Sequence, residues 1–264
     1  MNVDTLIEGD CLEVMQNIPD ESIDLILCDL PYGTTVCKWD SIIPFEKLWE
    51  NYKRIIKPRH AIVLFGAEPF SSHLRMSNPE MYKYDWIWVK NNAVGFVNAK
   101  LKPMPRHEFI HVFSDGNTSN ATQEPMIYYP QGLRPNHGFH HDGNRLDTEN
   151  TYARPGWFAE GKNPSAGRIQ DFTNYPTTVL EFAKVIKTVH PTQKPVELCE
   201  YLIKTYTRQG EVVLDNCMGS GTTPVACIRT GRHFIGIEKT PKYFEIAKHR
   251  VIEAQGQKKL SCFI

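Results

Sequence analysis

Short apolar runs bounded by turn residues recur along the chain. Ile23–Leu27, Ala61–Phe65 and Val212–Leu214 are the cleanest. Runs of this length and continuity predict strands buried on both faces. Val3–Gly9, Glu108–Phe113 and Phe234–Glu238 predict further strands, and Tyr84–Lys90 alternates, with Trp86 and Trp88 on one face. Between them, helical periodicity marks Leu12–Ile18, Pro44–Ile56, Pro69–Met76, Val196–Thr207, Pro224–Arg229 and Pro241–Ala254. In the fourth of these, Leu198, Leu202 and Ile203 share the apolar side. Strands alternating with helices predict an α/β architecture.

The pattern breaks between about Ser114 and Thr188, which is rich in Asn, Gly, Pro, His and Tyr and poor in aliphatic runs. Its aromatics (Tyr128, Tyr129, Phe139, Tyr152, Trp157, Phe158, Phe172, Tyr175) are too many for a segment meant to stay solvated. Interleaved with Arg134, Arg145, Arg154, Lys162 and Arg168, they predict an ordered lobe suited to nucleic acid. A second polar stretch, Gly33–Ile43, contains Thr34, Thr35, Lys38, Trp39 and Asp40 and is long enough to act as a flap.

Charge changes little in this picture. Thirty basic and thirty acidic residues cancel, which leaves room for a local basic face. The seven cysteines form no CxxC pair, as expected of a reducing compartment without disulfides. His140-His141 lacks a ligand spacing, and no metal is expected. The sequence shows no secretory signal and no apolar run of membrane-spanning length. A cytoplasmic protein without membrane contact is the expectation.

Two loops carry the chemistry. The strand Ile23–Leu27 runs into Cys28-Asp29-Leu30-Pro31-Tyr32-Gly33. Its carboxylate and the Leu30 carbonyl can both accept from an amino group, and Tyr32 can stack on a planar base. Alone, this tetrapeptide also reads as an ordinary strand exit. Asp10 likewise reads as a helix cap, although its place after a strand end makes it a neighbour for Asp29. The second loop, Asn216-Cys217-Met218-Gly219-Ser220-Gly221-Thr222-Thr223, lies between the strand ending at Asp215 and a helix. Its glycines allow close backbone approach, and the helix start offers unpaired N–H groups. Glu238 ends the next strand, where an acid holds a ribose diol. The loop has no P-loop lysine, which argues against an NTPase, and it lacks the third glycine of a dinucleotide fingerprint.

In order, Asp29-Leu-Pro-Tyr32, His190-Pro-Thr-Gln-Lys-Pro195, Asp215-x-x-x-Gly-Ser-Gly-Thr-Thr223 and Ile235-Gly-Ile-Glu238 resemble the beta group of DNA amino-methyltransferases. The resemblance covers roughly residues 4–113 and 189–250. It implies an S-adenosylmethionine-dependent enzyme of restriction-modification or phage origin. It implies a seven-stranded Rossmann-like α/β sheet, permuted so that the cofactor loop falls in the C-terminal half. Residues 1–113 and 189–264 would form the catalytic domain, and 114–188 an inserted target-recognition region. By resemblance, Asp29, Leu30, Pro31 and Tyr32 act on the flipped base, with Asp10 nearby. Asp215, Cys217, Gly219, Ser220, Gly221 and Thr222 would line the cofactor, Glu238 would take its ribose hydroxyls, and Thr192 and Lys194 would border its amino-acid moiety.

The implied substrate is double-stranded DNA, methylated site-specifically on the N6 of adenine. An acid rather than Ser at the first tetrapeptide position is more typical of adenine enzymes. An N4-cytosine enzyme, an RNA-directed relative and an inactive DNA-binding relative stand as alternatives. A cognate restriction endonuclease and a homodimer are compatible partners. The chain departs from the family twice. Leu30 replaces the usual Pro but keeps its carbonyl, and Pro31 still restricts it to an extended conformation. Asn216-Cys217-Met218 stands where Pro-Phe-Ala is common.

Overall fold

In the computed structural model, which describes residues 2–33, 40–119, 123–136, 171–186, 188–190 and 192–261, the apolar runs become the strands of one sheet. Strand β1 (Thr5–Glu8) leads to helix α1 (Cys11–Met15), and β2 (Ile23–Cys28) follows. Helix α2 (Phe45–Ile55) passes directly into β3 (Ile56–Gly66), and α3 (Phe70–Ser77) precedes β4 (Tyr82–Val89) and β5 (His107–Phe113). A short pair, β6 (Arg134–Pro135) and β7 (Phe172–Thr173), comes before β8 (Val179–Glu181). The chain ends with α4 (Val196–Tyr206), β9 (Val212–Asp215), α5 (Thr222–Thr230), β10 (His233–Glu238) and α6 (Pro241–Ser261).

The sheet order is β1-β10-β9-β2-β3-β5-β4-β8. Seven of these strands come from residues 1–113 and 189–264. The eighth, β8, arises within the segment expected as an insertion and adds parallel to β4, with Val179 opposite Ile87. Strands β1, β10, β9, β2 and β3 are mutually parallel, and β5 runs against both β3 and β4. From β2 the chain proceeds to β3 on one side, whereas β9 leads to β10 on the other. The boundary between β2 and β9 is therefore the switch point, where a crevice opens beyond the strand ends. Both chemistry-bearing loops leave from those two strands.

Every residue of β2 is buried, and its alternation feeds two cores. Leu25 and Leu27 pack with Leu198 and Leu202 of α4 and Ala226 of α5. Ile26 and Cys28 pack with Met15 of α1, Leu48 and Tyr52 of α2, and Leu74 of α3. Helices on both faces explain why the central strands carry continuous apolar runs. Pro58-Arg59-His60, a turn-like tripeptide, lies inside β3, in a register shift where Ile23 pairs with Ile56 but Leu25 with Ala61.

Contacts divide the chain into two compact units, Met1–Tyr129 with Thr177–Ile264, and Pro130–Pro176. The described residues 114–119, 123–129, 177–186 and 188, expected in the inserted region, fall in the first unit. Met126 is buried in its core, and the Tyr129 N–H donates to the Thr205 carbonyl. In the second unit β6 and β7 pair antiparallel, and the Asn136 N–H donates to the Asp171 carbonyl. Phe139, Arg145, Tyr152, Arg154, Trp157, Phe158, Lys162 and Arg168 lie outside the described residues. So do the His140-His141 pair and Thr34, Thr35, Lys38 and Trp39 of the expected flap. Among the described residues, no helix is long and apolar enough to cross a membrane.

Candidate active site

Loops at the ends of β1, β2, β9 and β10, with the stretch before α4, enclose a cavity of about 330 Å³. Its wall includes Asp10, Asp29, Leu30, Pro31, Tyr32, Thr192 and Lys194 from the expected set, and Asp215, Cys217, Gly219, Ser220, Thr222 and Glu238. Gly221 is the exception. It adopts a left-handed φ of 78°, and a β-carbon there would lie 2.9 Å from the Ala247 β-carbon of α6. Its lack of a side chain serves helix packing rather than the cavity.

At the end of β2, Asp29 is held from two sides. The Tyr32 hydroxyl donates to its Oδ1 at 2.7 Å, and Lys194 Nζ donates to its Oδ2 at 2.5 Å. Tyr32 is braced in turn by stacking on Phe70, with centroids 4.9 Å apart. Behind Lys194 stands Glu108, whose Oε2 is 3.4 Å from Nζ and whose Oε1 pairs with Lys90. Asp29, Lys194, Glu108 and Lys90 thus form a chain of alternating charge. Burial pushes the Asp29 carboxyl above the usual carboxylate range, against the pull of Lys194. Burial also opposes the Lys194 ammonium, but Asp29 and Glu108 outweigh it and hold its pKa above the ordinary lysine range.

Glu108 and Lys90 were not among the residues expected from sequence. Their signal was present but faint: a charged residue at the facing ends of two strands, Glu108 opposite Trp88 and Lys90 just past Val89. Only the antiparallel pairing of β4 and β5 brings them together.

The second loop is built around Glu238. Its Oε2 accepts from the Gly219 N–H at 2.9 Å and its Oε1 from the Thr240 N–H at 2.7 Å. Gly219 has a φ of 52°, a left-handed turn that glycine adopts without steric penalty. Arg250 of α6 donates to the Ser220 carbonyl at 2.6 Å and to its hydroxyl at 2.9 Å, fixing the loop from outside. His190 lies against Tyr243, with ring centroids 4.2 Å apart, and burial lowers its pKa to about 4. It is therefore neutral at pH 7. Asp10 caps α1 through the Leu12 N–H at 2.9 Å and also accepts from Lys239 at 2.9 Å. Its capping and its position on the cavity wall coexist.

Asp215 is buried, and burial raises its pKa to about 7 although the Cys217 N–H donates to it. The folded chain therefore keeps a proton there that the unfolded chain, with an ordinary value of 3.8, releases. Stability from this group is full below 3.8 and is lost as pH rises to about 7. Asp215→Asn should flatten that part of the profile, and melting temperatures across the interval, parent against variant, check it. An identical slope in parent and Asp215→Asn through that interval would contradict it, since His190, held at about 4, adds an opposite slope to both. Burial also raises the neighbouring Cys28 thiol to about 12, so Cys28 is no thiolate nucleophile at neutral pH. A separate group of Asp24, His60 and Glu211 gathers at the opposite end of the strands, with Lys57 donating to Asp24 at 2.6 Å as its own internal cation.

A largely parallel sheet whose switch-point crevice carries a glycine-turned loop, an acid behind it and an acidic Pro-Tyr corner defines a Rossmann-like group transferase. Residues 23–249 match the DNA methylase family of N6-adenine and N4-cytosine amino-methyltransferases, and the chain belongs to that family. It is 28% identical over 259 residues to the Type II methyltransferase M.HpaI of Haemophilus parainfluenzae, covering 93% of this chain and 73% of that protein. The fold is shared with the M1.HpyAVI–SAM complex, at a TM-score of 0.59 and 23% identity, covering 94% of this chain and 98% of that one. It is also shared with the cytosine-N4-specific PvuII DNA methyltransferase, at 0.63 and 16%, covering 96% and 92%.

Proposed function

We propose that this protein transfers a methyl group from S-adenosylmethionine to the N6 amino group of an adenine flipped out of double-stranded DNA. One observation carries the reading: the Asp29–Tyr32 corner and the Gly219–Glu238 cradle open into one cavity from neighbouring strands.

The donor set of that cavity fits the cofactor. Asp10, Asp29, Asp40 and Glu238, besides the partly protonated Asp215, face only two lysines, Lys194 and Lys239, among its described lining residues. Both lysines are already paired with carboxylates. Such a wall suits a ligand carrying positive charge and disfavours a polyphosphate. Glu238 would hold the ribose diol, the Gly219 backbone would lie close to it, and Tyr243 and His190 offer ring surface nearby. When bound, S-adenosylmethionine supplies an electrophilic methyl group on a sulfonium.

The chain's own residues then act on the base. An exocyclic amino nitrogen is a poor nucleophile because its lone pair is delocalised into the ring. Hydrogen bonds to Asp29 and to the Leu30 carbonyl favour a pyramidal nitrogen with a localised lone pair. Tyr32 supplies stacking surface for the base. Charge developing on nitrogen is stabilised by Asp29. Its carboxyl, pushed up by burial, can then hold the departing proton.

Support for DNA as partner comes from the rim. Residues 91–106 leave the sheet at the edge where Asp29 stands, contain Lys100, Lys102 and Arg106, and include no acid. Phe96, Val97 and Leu101 are exposed among them. Cations with exposed apolar groups suit a duplex being opened. The recognition role of residues 114–188 remains part of the proposal, as does modification alongside a cognate endonuclease.

Duplex DNA methylated in vitro and digested to nucleosides should yield N6-methyladenine. N4-methylcytosine as sole product would move the chain to the family's other branch, and unmethylated DNA would overturn the reading.

A further inference from the structure

We propose that Lys194 is a two-position cation, and that Glu108 receives it when the target amino group takes its place on Asp29. Glu108, backed by Lys90, is thereby a positioning residue for methyl transfer. The inference rests on the reading above, that Asp29 accepts from an exocyclic amine.

In the arrangement in hand an incoming amine must compete with two donors. Asp29 Oδ1 is engaged by the Tyr32 hydroxyl and Oδ2 by Lys194. A charged donor on Oδ2 takes one of that oxygen's two lone pairs and crowds the approach of an incoming N–H. On the far side of the ammonium, Glu108 Oε2 is buried and accepts no hydrogen bond. At 3.4 Å it already attracts Lys194 as an ion pair, without the alignment of a full hydrogen bond. A buried carboxylate oxygen without a donor is uncommon in folded proteins. Here it marks a second seat for Nζ.

The exchange is balanced. Lys194 gives up one charge-assisted hydrogen bond and gains another of the same kind. Two acids and two lysines keep the group neutral in both positions. Glu108 stays anchored because its other oxygen is paired with Lys90, which is itself buried and lies 5.1 Å from the Trp88 ring. Lys194 meanwhile sits over the rings of Phe65, at 5.1 Å, and Tyr32, at 5.9 Å. These attract a cation without fixing it to one oxygen. Oδ2 is fully cleared for the amine when the ammonium has somewhere to go.

Glu108→Gln keeps the shape and removes the charge that draws Lys194 across. Single-turnover methyl transfer at saturating DNA and cofactor should slow by about 10- to 100-fold, the scale of one charge-assisted hydrogen bond. Cofactor affinity, measured by calorimetry, should stay within about threefold. In a Lys194→Met background the same change should have no further effect, because no cation remains to be received. Transfer at the parent rate in Glu108→Gln, or an undiminished penalty in the Lys194→Met background, would overturn the switch. Should Glu108→Gln not fold, the unaltered protein with DNA and a cofactor analogue decides the matter. Lys194 hydrogen-bonded to Glu108 and off Asp29 supports the proposal, and Lys194 still on Asp29 overturns it. If the unaltered protein methylates no amino group in DNA, the functional reading itself falls instead.

Discussion

Asp29→Asn should reduce methyl transfer by at least about 10²–10³-fold, the loss seen when a single group stabilising transition-state charge is removed. The amide is close in size to the carboxylate, so the β2 exit and the Tyr32 contact retain their shape. What disappears is the negative charge that stabilises a nitrogen becoming positive. Asn is a better choice than Ala because Lys194 is buried and would lose its nearest counter-ion in either variant. Truncation would add a cavity to that electrostatic penalty. Glu108 remains within reach of Lys194 at 3.4 Å, which should keep the variant folded. Cofactor affinity should change little, since Asp29 contacts neither Gly219 nor Glu238 in the hydrogen-bond network. Labelled methyl transfer to duplex DNA in a single turnover, beside calorimetric cofactor binding, separates the two effects. Turnover within about tenfold of the parent would remove Asp29 from the chemistry.

Glu238→Ala and Gly221→Val should fail in different ways, although both residues belong to the cofactor loop by sequence. Glu238 faces the cavity and also accepts from the Gly219 and Thr240 N–H groups. Its removal should weaken S-adenosylmethionine binding by about 10²-fold, because bonds to a charged acceptor are worth roughly 1.5–3 kcal/mol each. Part of that loss would come through relaxation of the loop. Gly221→Val acts on the fold. A side chain there would meet Ala247 at 2.9 Å with φ at 78°. Left-handed strain and overpacking together should destabilise by about 2–5 kcal/mol. A thermal melt should show a marked drop for both variants, since Glu238 also satisfies two backbone N–H groups, but folded Gly221→Val should keep cofactor affinity far better than folded Glu238→Ala. Equal losses of affinity would mean that the glycine serves the ligand after all.

The strands and the two loops were legible in the sequence because their causes are local. Ile23–Leu27 and Val212–Leu214 are apolar at every position a two-sided strand requires, save Asp24, which Lys57 neutralises. Gly219 and Gly221 both supply left-handed turns, and the acid at Glu238 follows one strand later. Sequence could not say which glycine faces a ligand and which faces a helix, because both uses need the same missing β-carbon. Nor could it extend the sheet to β8, whose three residues show no strand pattern and gain one only by lying beside β4.

By itself, then, the sequence determined the α/β architecture, the glycine-turned loop with its acid, and the Asp-Leu-Pro-Tyr corner. Apolar periodicity and glycine conformation act within a few residues. Tertiary structure alone decided that Lys194 would clamp Asp29 from 165 positions away, that Glu108 and Lys90 would stand behind it, and that Asp215 would hold a proton up to about pH 7. Each of these depends on strand order and on the exclusion of water, and charge interactions take their strength from both.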